Sequence, residues 1–189
     1  MESIDITKLS DEDLVRNIVE KNDTHLFASL YDRYASVVYN KCYSFSSSKE
    51  EAQDLTHDVF IRLFVKLRTF KGKSKFSTWL YSFTYNFCVN YVQRNKEKRK
   101  EKVTVVTDQV KDDSSVEEVD EAILFELKSD KLAKALEVIA PSEKMILLMK
   151  YQDEMSIKDI SQVLDLGESA VKMRLKRAKE KVVKAYNEL

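Results

Sequence analysis

Apolar residues recur along most of this chain every three or four positions, which is the spacing of one face of an α-helix. The pattern predicts a first helix from about Asp11, a second from about Thr24, a third over residues 49–67 and a fourth over residues 76–94. In the fourth segment the aromatic residues also alternate, as on one face of a strand. A helix is the better interpretation because the segment contains no Gly or Pro and is far longer than a typical strand of about five or six residues.

The C-terminal third of the chain contains a second helical pattern. Three short helices are predicted after the only proline, Pro141: one over residues 142–151, one from Ser156 and one from Ser169. The last two are separated by a tight turn that contains Gly167. A short helix, a tight turn and a longer basic helix form the layout of a helix-turn-helix.

Between the two helical regions, periodicity fades and acidic residues dominate over residues 103–121. Such a composition predicts a flexible acidic linker. The expected fold class is therefore all-α, with two small helical domains joined by this linker and a helix-turn-helix in the second. The expected boundaries are a tail at 1–9, a first domain at 10–102 and a second domain at 122–189. Two Gly and one Pro in 189 residues leave little from which to build hairpins, which supports a chain without strands.

The formal net charge is zero, but the charge is unevenly distributed along the chain. Residues 62–102 contain twelve Lys or Arg against two Glu, whereas residues 103–130 contain two Lys against nine Asp or Glu. Cations clustered around the aromatic segment 76–94 suit phosphates and unstacked bases. The alternative is a core helix with solvated charges around it, and the residue types alone leave both interpretations open.

Enzymatic chemistry has no support in the sequence, because no nucleophile–base set, metal-ligand cluster or phosphate-binding Gly loop occurs. Neither a catalytic site nor a cofactor is expected. Cys42 and Cys88 lie in apolar helical context, which favours packed thiols over a disulfide or a metal site. The absence of a signal peptide and of any run of about 18 apolar residues predicts a cytoplasmic protein.

The predicted last helix has a basic side. Its apolar stripe packs inward, and on the opposite side we expect Lys172, Met173, Lys176 and Arg177. Lys and Arg there would hold phosphates, and an Arg could read a guanine edge. A basic amphipathic helix can also be a solubilising face or bind an acidic partner, so DNA binding is one of two interpretations.

Taken together, the two helical regions resemble the bacterial sigma-70 family, specifically the small extracytoplasmic-function sigma factors. The likeness covers about residues 10–96 and 128–187. Four stretches carry it: EEAQDLTHDVFIRLF from residue 50, FKGKSKFSTWLYSFTYNFCVNYVQR from residue 70, LEVIAPSEKMILLMKY from residue 136, and MSIKDISQVLDLGESAVKMRLKRAKEKV from residue 155.

The resemblance implies a factor that binds core RNA polymerase and directs promoter-specific initiation by reading minus-35 and minus-10 elements and capturing the melted strand. The core-polymerase-binding residues it implies are Asp54, Asp58, Phe60, Arg62, Leu63 and Lys66. The minus-10 residues it implies are Lys73, Ser74, Lys75, Phe76, Ser77, Trp79, Asn86, Asn90 and Arg94. The minus-35 residues it implies are Ser169, Ala170, Lys172, Met173, Arg174, Lys176 and Arg177.

The partners that the resemblance implies are core RNA polymerase at the clamp of its largest subunit and at its flap, promoter DNA, and an anti-sigma protein. It implies no membrane insertion by the chain itself. The sequence departs from the family pattern at His57, where Gln is usual, and at Ala170 and Met173, where small hydroxyl residues are common. The alternative is a helix-turn-helix regulator that acts without polymerase, in which case residues 70–94 would have no role.

Overall fold

The computed structural model describes the backbone of residues 9–101 and 129–189 and the side chains of residues 9–95 and 130–189. Within these ranges every regular element is helical, which confirms the all-α prediction. The chain divides into two compact units, Met1–Asn90 and Tyr91–Leu189. The predicted linker, residues 1–8 of the predicted tail and the predicted start of the second domain near Ala122 lie outside the described residues.

Four helices begin in the first unit. They are α1 (Asp11–Lys21), α2 (Thr24–Tyr43), α3 (Lys49–Lys66) and α4 (Phe76–Glu101), with a single 3-10 turn (Leu67–Thr69) after α3. The helix α4 confirms the helical interpretation of the alternating aromatic segment. Length and the lack of breaking residues outweighed the two-residue alternation, because a strand needs partner strands and residues 9–101 and 129–189 contain none.

Side-chain caps start the first and third helices at the residues that the sequence predicts. The Ser10 hydroxyl accepts the Asp13 amide at 3.1 Å, and the Ser48 hydroxyl accepts the Glu51 amide at 3.1 Å. The carboxylate of Glu51 reaches back to the amide of Ser47, one residue beyond the predicted partner of a capping box. These caps satisfy amides that have no partner inside the helix.

The core of the first unit lies between α2 and α3, with α1 packed on α2. Cys42 of α2 and Cys88 of α4 are both fully buried free thiols, which confirms the prediction of packed thiols. The Cys88 thiol donates to the Cys42 sulfur across 3.9 Å, and this hydrogen bond together with burial raises the pKa of Cys88. The largest fully buried side chains of this unit are Leu14, Leu30, Val38, Val59, Leu63, Leu67, Phe76, Leu80 and Tyr85.

Over residues 129–189 the second unit contains four further helices. They are α5 (Ser129–Val138), α6 (Pro141–Leu147), α7 (Ile157–Leu164) and α8 (Glu168–Glu188), with one π-helical turn (Leu148–Gln152) after α6. The first three all pack against α8, which is therefore the central element of this unit. Its buried residues are Val171, Leu175, Ala178, Val182 and Ala185, at the helical spacing that the sequence predicts.

Polar contacts tie the short α6 to its neighbours. The Glu143 carboxylate accepts the Ala140 amide at 3.2 Å and also pairs with Lys181 of α8. The buried Lys144 pairs with Glu137 of α5. A helix of seven residues is marginal alone, so these ties and the apolar packing determine where it sits.

Candidate nucleic-acid interface

The outer face of α3 is a continuous row of exposed side chains. Of the residues implied for polymerase binding, Asp54, Asp58, Arg62 and Lys66 all lie on this face and are exposed. They recur every four positions, which is close to one helical turn, so they form a single strip. The strip is acidic toward the start of α3 and basic toward its end. The Arg62 guanidinium lies over the Phe87 ring of α4 at 5.0 Å, which orients this side chain.

Two residues implied for polymerase binding are not on the outer face. Phe60 is 3% exposed and Leu63 is 0% exposed, because both continue the inner apolar stripe of α3. Phe60 packs its ring against Tyr31 at 4.4 Å and against Phe27 at 6.3 Å. Both side chains are core residues that support the strip from beneath. Their implied role in polymerase binding stays a prediction.

Two apolar residues of α3 lie on its outer face. Ile61 is 65% exposed and Val65 is 68% exposed, one turn apart. Isolated exposed apolar residues are ordinary, but two adjacent ones beside charged groups are typical of a contact surface. Val65 belongs to no set that sequence reasoning selected, although its place one turn after Ile61 is a signal that could have found it.

The basic loop, residues 70–75, connects the 3-10 turn to α4. Lys71, Lys73 and Lys75 are all exposed. Gly72 has a φ of +66°, a left-handed conformation that Gly adopts without strain, as the sequence predicts. The loop therefore presents three cations to solvent just before α4, and Ser74 and Ser77 are partly exposed beside them.

The aromatic residues of α4 mostly contact each other and the core. Phe76 is 0% exposed and packs edge-on against Tyr34 and Phe70, each at 5.5 Å between ring centroids. The side chain is thus a core residue, and its implied contact with DNA stays a prediction. Trp79 is half-buried and lies parallel to Phe83 at 5.7 Å. Most of the aromatic surface is thus used for packing, which favours the core-helix interpretation for these rings.

The polar residues implied for the minus-10 element do lie at the surface of α4. Asn86, Asn90 and Arg94 are exposed and follow one another every four positions, so they share one face of the helix. The Asn86 amide donates to the Ser82 hydroxyl at 3.4 Å, a long contact within the same helix that leaves the amide accessible. The structure thus brings these three residues into one row.

Glu12 of α1 is a residue of this region that sequence reasoning missed. Its carboxylate accepts the amide of Phe76, the first residue of α4, at 2.8 Å. The two residues are 64 positions apart, so no local motif reveals the contact. The sequence does contain one indication of such a contact. The residue before α4 is Lys75, whose ammonium group cannot accept a hydrogen bond, so the first amides of α4 need an acceptor from elsewhere.

The helix-turn-helix of the second unit has the predicted caps. Ser156 accepts the Asp159 amide at 3.1 Å, and Asp159 accepts the Ser156 amide at 3.3 Å, which completes a capping box. The left-handed residue of the turn is Asp165, with a φ of +52°, whereas Gly167 has a φ of −66° and precedes α8 as its cap. The helix α8 begins at Glu168, one residue before the predicted start.

The exposed face of α8 contains every residue implied for the minus-35 element. The buried stripe of α8 faces the core, so the opposite side of the helix faces solvent. Met173 lies on this solvent side and is 52% exposed. A single exposed apolar side chain is ordinary, so Met173 alone does not distinguish a DNA-binding helix from a solubilising one. The exposed members are Ser169, Ala170, Lys172, Met173, Arg174 and Arg177, and Lys176 is partly exposed.

An apolar groove of about 250 Å³ lies in the second unit, away from the basic face of α8. Leu148 and Tyr151 of the π-helical turn are partly exposed in it. Its remaining lining residues are Leu132, Leu136, Leu147, Gln152 and Val182. A groove lined almost entirely by apolar side chains suits an apolar segment of a protein partner.

The described parts of both units contain no group of three or more His, Cys, Asp or Glu residues that could hold a metal ion. Helices long and apolar enough to cross a membrane are likewise absent from residues 9–101 and 129–189. At the start of α3, hydrogen bonds from the backbone of Glu50 itself and from the Ser48 side chain lower the pKa of the Glu50 carboxyl group. Glu50 lies one helical turn before Asp54, at the acidic end of the strip.

Two family models match the chain, and together they cover more than half of it. The model for Sigma-70 region 2 matches residues 30–98, and the model for Sigma-70, region 4 matches residues 129–182. The first match contains α3, the basic loop and most of α4. The second contains the helix-turn-helix.

Relatives and solved structures agree with the family models. The chain is 28% identical to the ECF RNA polymerase sigma factor SigW of Bacillus subtilis over 178 residues, which is 90% of this chain and 94% of SigW. It is 25% identical to the RNA polymerase sigma-H factor of Pseudomonas aeruginosa over 97% of both chains.

Two solved structures have a similar fold. One is CnrH in complex with the cytosolic domain of CnrY, with a TM-score of 0.62, 17% identity and coverage of 94% of this chain and 97% of that one. The other is the sigma factor RpoE in complex with the anti-sigma factor NepR from Bartonella quintana, with a TM-score of 0.56, 18% identity and coverage of 85% and 96%.

Proposed function

The chain belongs to the sigma-70 family as a member of its extracytoplasmic-function group, and from this premise we propose how its two units divide promoter recognition. It is an initiation factor that binds core RNA polymerase and directs promoter-specific transcription. One observation supports the proposed division: an exposed charged strip and a basic loop lie on the first unit, and an exposed basic recognition helix lies on the second. We take residues 10–102 and 122–189 as the two functional domains.

The outer face of α3 binds the clamp coiled coil of the largest polymerase subunit. Its four charged residues, Asp54, Asp58, Arg62 and Lys66, are exposed on one strip and can pair with charges of opposite sign on a partner helix. Ile61 adds an apolar side chain that is available for burial, which supplies affinity that exposed ion pairs do not.

The basic loop and the exposed face of α4 hold the melted minus-10 strand. Lys73, Ser74, Lys75 and Ser77 surround the position of a flipped base, where ammonium groups attract phosphates and hydroxyls hydrogen-bond a base edge. Flipping a base costs a few kcal/mol, so the strand needs such contacts to stay open. Trp79 supports this site by packing beneath the loop.

Further along α4, the row of three exposed residues contacts the upstream end of the minus-10 element. Asn86 and Asn90 can each donate and accept hydrogen bonds, and Arg94 can hold a phosphate.

The helix α8 enters the major groove of the minus-35 element. Its Lys and Arg residues hold the phosphates and can read a guanine edge, as in other helix-turn-helix proteins. Ala170 and Met173 offer apolar contact to a thymine methyl but donate no hydrogen bond. Ser169 is the one member of the set with a hydroxyl. The minus-35 sequence should therefore differ from one read by hydroxyl residues at those two positions.

Three further features complete the proposal. The apolar groove beside the π-helical turn binds the polymerase flap, because its lining is apolar and lies apart from the DNA-binding side chains.

Members of the family are not enzymes in general, and this chain has no catalytic activity of its own. It acts in the bacterial cytoplasm under an anti-sigma protein, as the similar folds of CnrH and RpoE were solved with CnrY and NepR.

Run-off transcription tests this proposal. Purified core polymerase is combined with the chain on fragments of the source genome, and the wild type is compared with the double variant Asn86→Ala, Lys73→Ala. Both residues are exposed, so the variant should remain folded. Asn187→Ala, an exposed Asn in the last turn of α8, is the matched control.

We expect discrete promoter-dependent transcripts with the wild type and with Asn187→Ala, and strongly reduced transcripts with the double variant. Core binding, measured separately, should be equal for all three proteins. If the chain formed no complex with core polymerase and still shifted duplex DNA, a regulator that acts without polymerase would replace our proposal.

A further inference from the structure

The helix α4 begins without a local side-chain cap. The first amides of a helix have no partner inside it and are usually satisfied by a Ser, Thr, Asp or Asn just before the helix. The first three helices follow this rule, with Ser10, Asp23 and Ser48 as caps. The residue before α4 is Lys75, which has no acceptor on its side chain.

Glu12 supplies the missing acceptor from another helix. Its carboxylate oxygen lies 2.8 Å from the Phe76 nitrogen, and the contact is partly buried. A carboxylate at the start of a helix also interacts favourably with the helix dipole, and a hydrogen bond to a charged acceptor is stronger than one between neutral groups. Glu12 is therefore a tertiary cap of α4.

The first turn of α1 is itself anchored by the neighbouring residue, Asp11. Its carboxylate pairs with the Arg33 guanidinium at 2.8 Å and accepts the Tyr34 hydroxyl. The Tyr34 ring in turn packs against the Phe76 ring at 5.5 Å. Two sets of contacts thus connect α1 to Phe76, the first residue of α4. Glu12 accepts the Phe76 amide directly, and Asp11 accepts the hydroxyl of Tyr34, whose ring packs on the Phe76 ring.

The basic loop depends on this connection because it is held mainly at its two ends. At one end the Phe70 amide donates to the Leu67 carbonyl at 3.0 Å. At the other end, the Phe76 amide donates to the Glu12 carboxylate. Between them, a cleft of about 330 Å³ separates α1 from Lys71 and Gly72, so the middle of the loop does not pack on α1.

We propose that Glu12 is a positioning residue for the minus-10 strand: its carboxylate holds the start of α4 and thereby places Lys73, Ser74 and Lys75 for base capture. This inference rests on the proposed function of the basic loop. Glu12 itself does not touch DNA, since its carboxylate is occupied by the Phe76 amide and would repel a phosphate.

The chain contains a natural probe of the loop. Trp79 is the only Trp, and its ring lies 5.5 Å from Phe70 at the start of the loop and 5.9 Å from Phe76. Quenching of Trp79 fluorescence by acrylamide in the free protein reports the position of the loop without polymerase or DNA. The variants are Glu12→Ala, Glu12→Gln and Glu12→Asp. The matched control is Glu20→Ala, which removes the same charge. Glu20 is an exposed residue of α1 that lines the same cleft.

The second measurement is the affinity of the holoenzyme for a single-stranded minus-10 oligonucleotide, with a duplex minus-35 fragment as the internal reference. For Glu12→Ala we expect Trp79 quenching to increase and minus-10 affinity to fall about fivefold, the ratio that the loss of one typical helix cap produces. Minus-35 affinity should be unchanged. Glu12→Gln keeps an acceptor oxygen of the same reach and should restore most of the minus-10 affinity.

Several outcomes would overturn the inference. One is unchanged Trp79 quenching in folded Glu12→Ala protein, and another is an equal effect of Glu20→Ala. If Glu12→Ala does not fold, Glu12→Asp tests the inference instead, because its side chain is one methylene too short to reach the Phe76 amide. Trp79 quenching should then increase in Glu12→Asp, and unchanged quenching would overturn the inference. Failure of the wild-type chain to bind polymerase would contradict the proposed function. The Trp79 measurement would still test whether Glu12 positions the loop, because it uses the free protein.

Discussion

Neighbouring residues of α3 should give opposite phenotypes when each is truncated to Ala. Phe60 is 3% exposed and packs on Tyr31, whereas the next residue, Ile61, is 65% exposed. Removing a buried Phe ring typically costs about 3–5 kcal/mol of unfolding free energy. For a domain of this size each kcal/mol shifts the melting temperature by roughly 4–8 °C, so Phe60→Ala should lower it by more than about 10 °C.

Ile61→Ala should leave the stability within about 0.5 kcal/mol of the wild type, because a mostly exposed side chain gains little from folding. Its effect should appear on binding. Burying an Ile side chain contributes about 1.5–3 kcal/mol, and truncation to Ala removes most of it, so the Kd for core polymerase should rise about five- to thirtyfold.

Two assays separate these effects. Circular dichroism gives the melting temperature of each variant, and fluorescence anisotropy gives the affinity for core polymerase at a temperature at which both are folded. Phe60→Leu, which keeps an apolar core residue, serves if Phe60→Ala does not fold. The reasoning is refuted if Phe60→Ala melts like the wild type but loses polymerase binding, or if Ile61→Ala binds like the wild type.

The remaining predictions concern DNA binding, a helix cap and pH. Lys172→Ala should reduce the slope of log K against log salt for a minus-35 duplex by about one, since each phosphate contact releases about one counterion; an unchanged slope would remove this residue from the interface. Ser156→Ala should cost about 1 kcal/mol of unfolding free energy in the second unit, whereas Ser156→Asp should cost little. Burial and the hydrogen bond to Asp11 raise the pKa of Tyr34 above its usual value near 10, so this residue favours folding below pH 10 and the advantage is lost as pH rises toward the folded-state pKa. Chemical denaturation at pH 9 and pH 11 should show a smaller alkaline loss of stability in Tyr34→Phe than in the wild type.

The elements of this fold are largely predictable because their signals are local. Ser48 and Glu51 mark the start of α3, and Gly72 marks the loop, since a cap or a left-handed turn is made by residues a few positions apart. Gly167 shows the limit of such signals. It marks the turn of the helix-turn-helix, yet the left-handed conformation falls on Asp165, which also tolerates it.

Candidate site residues were harder to assign from the sequence. A resemblance selects stretches of chain, and within a stretch it does not separate residues that contact a partner from residues that support them. The resemblance implies interface roles for Phe60, Leu63 and Phe76, and the structure buries all three in the core. Helical periodicity alone indicates that the first two are buried, because both fall on the apolar stripe of α3.

Residue spacing along the chain is enough to predict the all-α class, the starts of α1 to α4 and of α6 to α8 to within about one residue, the apolar stripes and the basic faces. These depend on helical spacing and on caps, which are interactions between near neighbours. The end of α4 was not predictable in this way, because the helix continues to Glu101 rather than ending at Arg94. Tertiary structure alone decided that Glu12 caps α4, that Arg62 lies on Phe87, and that two buried thiols face each other across helices. Each of these contacts joins residues that are remote along the chain, so its geometry exists only once the helices have packed.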